Sequence, residues 1–245
     1  MRRRVLIVNA DDFGYSPSVN RGIIAAHEQG VVTSASLMVR WPGAADAAAY
    51  ARQHPEFSMG LHVDLGEWAC SDGRWVARYE VVPLGDGPAV TAEVARQLIA
   101  FRRLTGQDPT HLDSHQHVHR TGTERGATVR SVLLELAREL SVPLRGYTTT
   151  IHYCGGFYGQ TPEGVSRPGA ISVESLLTIL DSLPSGVTEL GCHPGDATDV
   201  ETTYRSDRTA ELAVLCDPRV RAAVAAMGFE LRSFRDVAAG IGILF

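Results

Sequence analysis

Short apolar runs and helical repeats alternate along this chain from start to finish, and no other feature of the sequence restricts the fold as much. Such alternation builds parallel strands joined by helical crossovers. Residues 5–10 read as a first strand. Ser16 and Pro17 then supply an N-cap and a first-turn proline, Val19, Ile23, Ile24 and His27 recur at helical spacing, and Gly30 ends the helix. The pattern predicts strands at 32–39 and 57–63 around an Ala-rich helix at 44–52. Residues 65–90 carry Gly66, Gly73, Pro83, Gly85, Gly87 and Pro88 with little periodicity, and read as a long loop, a candidate substrate lid. Thr91 is expected to cap a helix through Val94, Leu98 and Phe101 that stops at Gly106, before a fourth strand at 111–115. A helix through Val129, Leu133 and Leu140 leads to a fifth strand at 142–147 and a second loop around Cys154, Gly155 and Gly159, within a non-periodic stretch at 150–170. Ser172 caps a further helix, residues 187–192 form a sixth strand, Asp217 and Pro218 open a helix that Gly228 closes, and 229–231 form a short last strand. Six or seven such units in 245 residues predict a single-domain α/β fold, a complete or slightly incomplete, TIM-barrel-like (β/α) barrel rather than an open sheet.

A chain of this length supports its core without staples, so a metal is expected to be functional rather than structural. The 23 basic and 28 acidic residues give a formal charge of −5, which argues against a nucleic-acid partner. Arg2, Arg3 and Arg4 precede an apolar run too short for a signal sequence, and no run of about 18 apolar residues is present to span a membrane. Cys70, Cys154, Cys192 and Cys216 are scattered and fit buried thiols. A cytoplasmic protein is expected. The apolar tail with Ile241, Ile243, Leu244 and Phe245 is expected to close the barrel or to meet a second subunit, which makes a homodimer a candidate state.

Chemistry-bearing residues share one address, the carboxyl ends of the predicted strands: Asp11 and Asp12 after the first, His62 in the third, His115 in the fourth and His193 after the sixth. Barrels place active sites there. Two adjacent carboxylates ending an apolar strand are costly to desolvate without a cation or donors. Successive residues point to opposite sides, so one metal ligand and one general base is the economical division. In HLDSHQHVH, the residues His111, Asp113, His115, His117 and His119 share one parity, and a strand through them would align five polar groups. Asp113 is placed to fix the tautomer of His115 or His117, and spacing leaves open which of those two is a ligand. One carboxylate with two imidazoles forms a facial set with open positions, suited to one divalent ion, with zinc favoured and magnesium allowed. His193, fixed by Pro194 and Gly195 and near an ordinary pKa of about 6.5, suits a general acid.

Taken together, NADDFG, GLHVDL, HLDSHQHVH and ELGCHPG resemble, in order, the motifs of the YdjC-like carbohydrate deacetylases. The resemblance implies a distorted (β/α) barrel with a divalent metal held by Asp12, His62 and His115, with Asp11 as base and His193 as acid. It implies hydrolysis of the N-acetyl group of an amino sugar or oligosaccharide. After His119 the family pattern continues with apolar residues and a proline, whereas this chain has Arg120, Thr121 and Gly122, so the substrate rim is expected to differ. Two other functions fit a barrel with such a cluster. A metal-dependent phosphoesterase would call for a second ligand set, for which Asp113, His117 and Arg120 are the candidates. A catalytically silent metal- or sugar-binding barrel would bind metal and release no acetate.

Overall fold

A seven-stranded sheet carries the site, with strands of three to ten residues. The computed structural model describes residues 3–71, 74–161, 164–167, 169–200, 202 and 204–240. Arg2, Gly73 and the apolar tail at 241–245, with its expected closing or dimer contact, lie outside the described residues. In chain order, β1 (Arg4–Phe13), α1 (Pro17–Glu28), β2 (Ser34–Leu37), α2 (Ala44–Gln53) and β3 (Ser58–Val63) follow the predicted alternation. An antiparallel hairpin follows, β4 (Gly66–Ser71) with β5 (Arg74–Glu80), then α3 (Gly87–Thr105), β6 (Leu112–Ser114), a 3-10 turn (His115–Arg120) and α4 (Glu124–Leu140). The rest comprises β7 (Ile151–Cys154), α5 (Val173–Ser182), β8 (Gly186–Cys192), α6 (Arg205–Leu215), α7 (Pro218–Ala226), β9 (Phe229–Leu231) and α8 (Phe234–Gly240).

The sheet order is β6-β3-β2-β1-β8-β7, with β9 also pairing β1, and the pairs are parallel. Leu144 bridges Leu112 and so extends the edge beyond β6, yet the chain enters β7 at the opposite edge by Ile151. In a flat sheet those positions would stand six strand spacings apart, roughly 29 Å. The connecting segment is coiled by bonds from Tyr147 N and Thr148 N to Leu144 O and from Ile151 N to Thr148 O, so it cannot bridge that gap. The sheet must therefore curl into the barrel-like form that the alternation predicts. Leu6, Val8 and Ala10 of β1 join Leu61, Leu112 and Leu190 in an apolar layer that packs against Ile23, Phe101, Val129 and Leu176 of the surrounding helices, while Val5 and Ile7 on the opposite face of β1 join Ile151, Phe234 and Val237 in a second cluster.

Four expectations are corrected. The stretch 65–90 is no loop throughout but holds the β4–β5 hairpin, and α3 is capped by Asp86, whose carboxylate accepts from Ala89 N at 3.1 Å, rather than by Thr91. The fourth strand stops at Ser114, because Gln116 and His117 take positive φ values of 51° and 50° and turn the chain. Residues 142–147 reduce to the single Leu144 bridge, since Pro143 offers no N–H and Gly146 turns at φ 77°. The strand lies instead at Ile151–Cys154, at the start of the expected second loop.

Candidate active site

β1 delivers two carboxylates to opposite sides. Its register with β8 pairs Asn9 with Gly191 and Ala10 with Cys192, which brings Asp11 beside His193. Asp12 takes φ 67°, a left-handed conformation that Asp tolerates better than most residues, and the turn separates the two side chains.

On one side, Asp12 Oδ1 lies 3.0 Å from His115 Nδ1 and 3.3 Å from His62 Nε2, while Arg208 donates to Asp12 Oδ2. Each of the three offers a ligand atom within 4.8 Å of the others, and all three are buried. The other ring nitrogen of His115 is buried with no hydrogen-bond partner, 3.7 Å from the Glu67 carboxylate, and one carboxylate with two imidazoles is a donor set that suits a divalent ion. The residues present thus fit one divalent ion. Burial alone would lower the imidazoles and raise the carboxyl. Instead Asp113 and Asp12 hold His62 well above its ordinary value, Asp12 lifts His115 to about 9, and Arg208 with His115 holds Asp12 well below the carboxylate range. At neutral pH both rings therefore carry protons that a metal must displace. Metal uptake is expected to release about two protons. Calorimetry in buffers of different ionisation enthalpy reads that number, and no release would contradict it.

The partner of Asp113 is a correction. Its Oδ1 lies 2.8 Å from His62 Nδ1, not on His115 or His117, because the β3–β6 register sets His62 directly beside Asp113. Its other oxygen accepts from Ser36 at 3.1 Å and from Arg145. His62 is the ring whose orientation Asp113 fixes.

On the other side, Asp11 Oδ1 accepts from Asn9 Nδ2 at 2.9 Å and from Arg145, whereas Asp11 Oδ2 is buried without a hydrogen-bond partner. That free oxygen faces His193 Nε2 at 3.6 Å and His117 Nε2 at 3.8 Å. Burial would raise the Asp11 carboxyl, but Arg145 keeps it below its ordinary value and hence ionised. Burial pulls His193 down to about 4, so the ring starts neutral, contrary to the near-ordinary value expected from sequence. Its cage is aromatic, with Tyr158 and Tyr204 rings at 5.3 and 5.6 Å, and its backbone N–H donates to Glu211. The Pro194–Gly195 turn sits hard against α1. A Cβ on Gly22 would come within 2.4 Å of Gly195 Cα, so only glycine lets the turn that carries His193 dock there.

Five predicted residues, Asp11, Asp12, His62, His115 and His193, therefore converge, with His117 at their edge and Asp113 beneath. Arg120 does not join them. Its guanidinium lies over the Tyr153 ring at 3.7 Å and lines a neighbouring pocket with Gly146 and Tyr147. Asp113, His117 and Arg120 therefore form no second ligand set. His111 and His119 are structural. His111 bonds Ser36 and Thr110 and stacks on Phe234, and His119 lies between Ser114 Oγ and Arg145 O. Burial holds these rings down to about 3 and about 4, against about 6.5 when unfolded. A depressed imidazole stabilises the fold above its unfolded value, and that stability disappears as pH falls toward the folded value. The melting temperature of the metal-free protein is expected to drop between pH 6.5 and 4, with a shallower drop in His119→Gln. Equal slopes would contradict the assignment.

Arg145, Arg208, Glu189 and Glu211 were not anticipated. The Glu189 carboxylate meets Arg145 at 2.6 Å, deep under Asp11. The site opens into a cleft of about 800 Å³ lined by Trp68, Trp75, Tyr15, Phe157, Tyr158 and Arg125. The hairpin forms one wall, and the Gln116 side chain ties it to the turn after His115, donating to Trp68 O at 2.8 Å and accepting from Trp68 N at 2.9 Å. Buried Asp64 anchors the same wall, accepting from Tyr79, Arg40 and Trp41.

A family model described as YdjC-like protein matches residues 5–226. The chain belongs to the YdjC-like family. This YdjC-like protein is 35% identical over 261 residues to a chitooligosaccharide deacetylase of Serratia marcescens, covering 96% of this chain and 99% of the relative. A carbohydrate deacetylase of Geobacillus stearothermophilus is 34% identical, with 95% and 98% covered. A solved structure from Enterococcus faecalis V583, whose description concerns cellobiose-phosphate cleavage, superposes on the YdjC-like chain with a TM-score of 0.73 at 27% identity, covering 96% and 99%. A family 4 carbohydrate esterase from Streptomyces lividans, solved with acetate, shares the fold at a TM-score of 0.53 and 16% identity, covering 95% and 93%.

Proposed function

We propose that this protein is a metal-dependent carbohydrate N-deacetylase that hydrolyses the acetamide of an amino sugar or oligosaccharide. The observation that carries the reading is the division of labour at the end of β1: Asp12 joins His62 and His115 in a cation set, while Asp11 keeps one buried oxygen free, 3.6 Å from His193. The names of the Serratia and Geobacillus relatives support the substrate class.

Asp12, His62 and His115 would hold a divalent ion, which when bound would supply Lewis-acid polarisation of the amide carbonyl and a lower pKa for the attacking water. The imidazole-rich set favours zinc, and magnesium is the alternative. Asp11 Oδ2, kept ionised by Arg145, accepts the proton of the water as its oxygen attacks the acetyl carbon. His193 protonates the leaving nitrogen as the C–N bond breaks. Because the ring starts neutral, the proton it donates is one it first takes from Asp11, whose free oxygen faces Nε2. The pair thus moves the proton of water to the amine, and acetate and a free amino sugar leave. The aromatic cleft excludes bulk water and offers flat faces to sugar rings.

Among the described residues no helix is long and apolar enough to cross a membrane. The four unpaired cysteines suit a reducing, cytoplasmic setting. Chelation followed by metal readdition tests the reading: acetate release should vanish and return, and release that persists in demetallated protein would refute the metal-dependent route.

A further inference from the structure

A second group of ligand atoms lies beside the first. Asp11, His117 and His193 each offer a ligand atom within 4.8 Å of the others, with Asp11 Oδ2 3.6 Å from His193 Nε2 and 3.8 Å from His117 Nε2. Zinc bonds of about 2.0–2.1 Å at tetrahedral angles set neighbouring ligand atoms roughly 3.3 Å apart, close to both separations on Asp11, while the ligand atoms of the two imidazoles, within 4.8 Å of each other, must draw together by at most about 1.5 Å to share an ion. Asp11 is 1% exposed, and its Oδ2 has no hydrogen-bond partner. The two imidazoles, 26% and 19% exposed, border the cleft, so an ion from solvent can reach them.

We propose that Asp11, His117 and His193 form a second site for a zinc-type divalent cation, weaker than the first, whose occupation arrests the enzyme. Two features make it weaker. The Arg145 guanidinium already bonds the other oxygen of Asp11, so a further cation arrives beside a fixed positive charge. His117 Nε2 is also engaged by the Tyr153 hydroxyl at 3.0 Å, a bond that the ion must displace. The arrest rests on the proposed deacetylase reading: an ion there would occupy the free oxygen of Asp11 and Nε2 of His193, the atoms that accept and pass on the proton. The site itself does not rest on that reading. It gives the protein a biphasic response to zinc, with activation as the first site fills and inhibition as the second does.

Zinc titration of the full chain against a chromophoric chelator, with no substrate present, tests the site directly. The expected result is two ions per chain, the second bound at least about tenfold more weakly, with one tight ion kept and the weaker one lost in both His117→Gln and Asp11→Asn. If His117→Gln fails to fold, Asp11→Asn carries the same test. One ion per wild-type chain, or a weak second ion that persists in both variants at unchanged affinity, overturns the proposal. In parallel, acetate release by the wild type should fall about tenfold as the second ion fills. If the chain releases no acetate from any sugar, the deacetylase reading falls while the metal count still decides the site. Acetate release undiminished with two ions bound overturns the inhibitory role.

Discussion

Replacing Asp11 by asparagine should lower kcat for acetate release about 10²–10⁴-fold, the usual worth of a positioned general base, while the tightly bound metal remains. Asparagine preserves the size of the side chain and the acceptor at Oδ1, but an amide NH2, which cannot take up a proton, replaces the free oxygen that faces His193. The proposed cation set draws on other residues, Asp12, His62 and His115, so metal content separates this variant from His62→Ala, which should lose ion and turnover together. An Asp11→Asn protein that retains full turnover, or that loses the tight ion, would reverse the assignment of the two carboxylates.

Arg145→Met should have the largest effect on stability. The guanidinium is fully buried and bonds Asp11, Asp113 and Glu189, so its removal strands up to three carboxylates away from water. Breaking a buried pair by deleting one partner costs about 3–5 kcal/mol, and this cation serves three acids. Part of the cost is recovered by protonation of Glu189, which burial already lifts to about 7 even with Arg145 present. Urea unfolding at pH 8 and at pH 6 measures both effects: a loss of about 3 kcal/mol or more at pH 8, smaller at pH 6 where Glu189 can take a proton. A loss below about 1 kcal/mol at both pH values, the level of an exposed pair, would mean that the cluster is not held by this charge.

The barrel and the five converging residues were legible because both follow from local pattern: period-2 and period-3.6 runs fix the alternation, and an alternating chain places its polar strand ends on one rim. What the pattern missed depends on contacts distant in sequence. Arg145 meets Asp11 across 134 residues and Arg208 meets Asp12 across 196, through curling that no local window contains. Strand parity carried past Ser114 offers His115 or His117 to Asp113, but the backbone leaves the strand there and the partner is His62. Some signals were present and passed over. Asp72-Gly73 between the aromatic-bearing runs of 66–71 and 74–80 is a two-residue hairpin signature, hidden by the many glycines and prolines around it. Glu189 within an otherwise apolar strand marked a buried charge in need of a partner. The α6 helix, which brings Arg208 to Asp12 and Glu211 to the His193 backbone, follows the polar, non-periodic stretch 195–204, so its contribution became visible only in three dimensions.

The most direct test is product stoichiometry. Metal-loaded protein should release acetate and free amine in equal amounts from N-acetylglucosamine, diacetylchitobiose or a longer N-acetylated oligomer, and release should collapse in Asp11→Asn. Folded, metal-loaded protein that yields neither product from any of these while hydrolysing a phosphate ester would contradict the deacetylase reading and assign the same rim of carboxylates and imidazoles to phosphoryl chemistry.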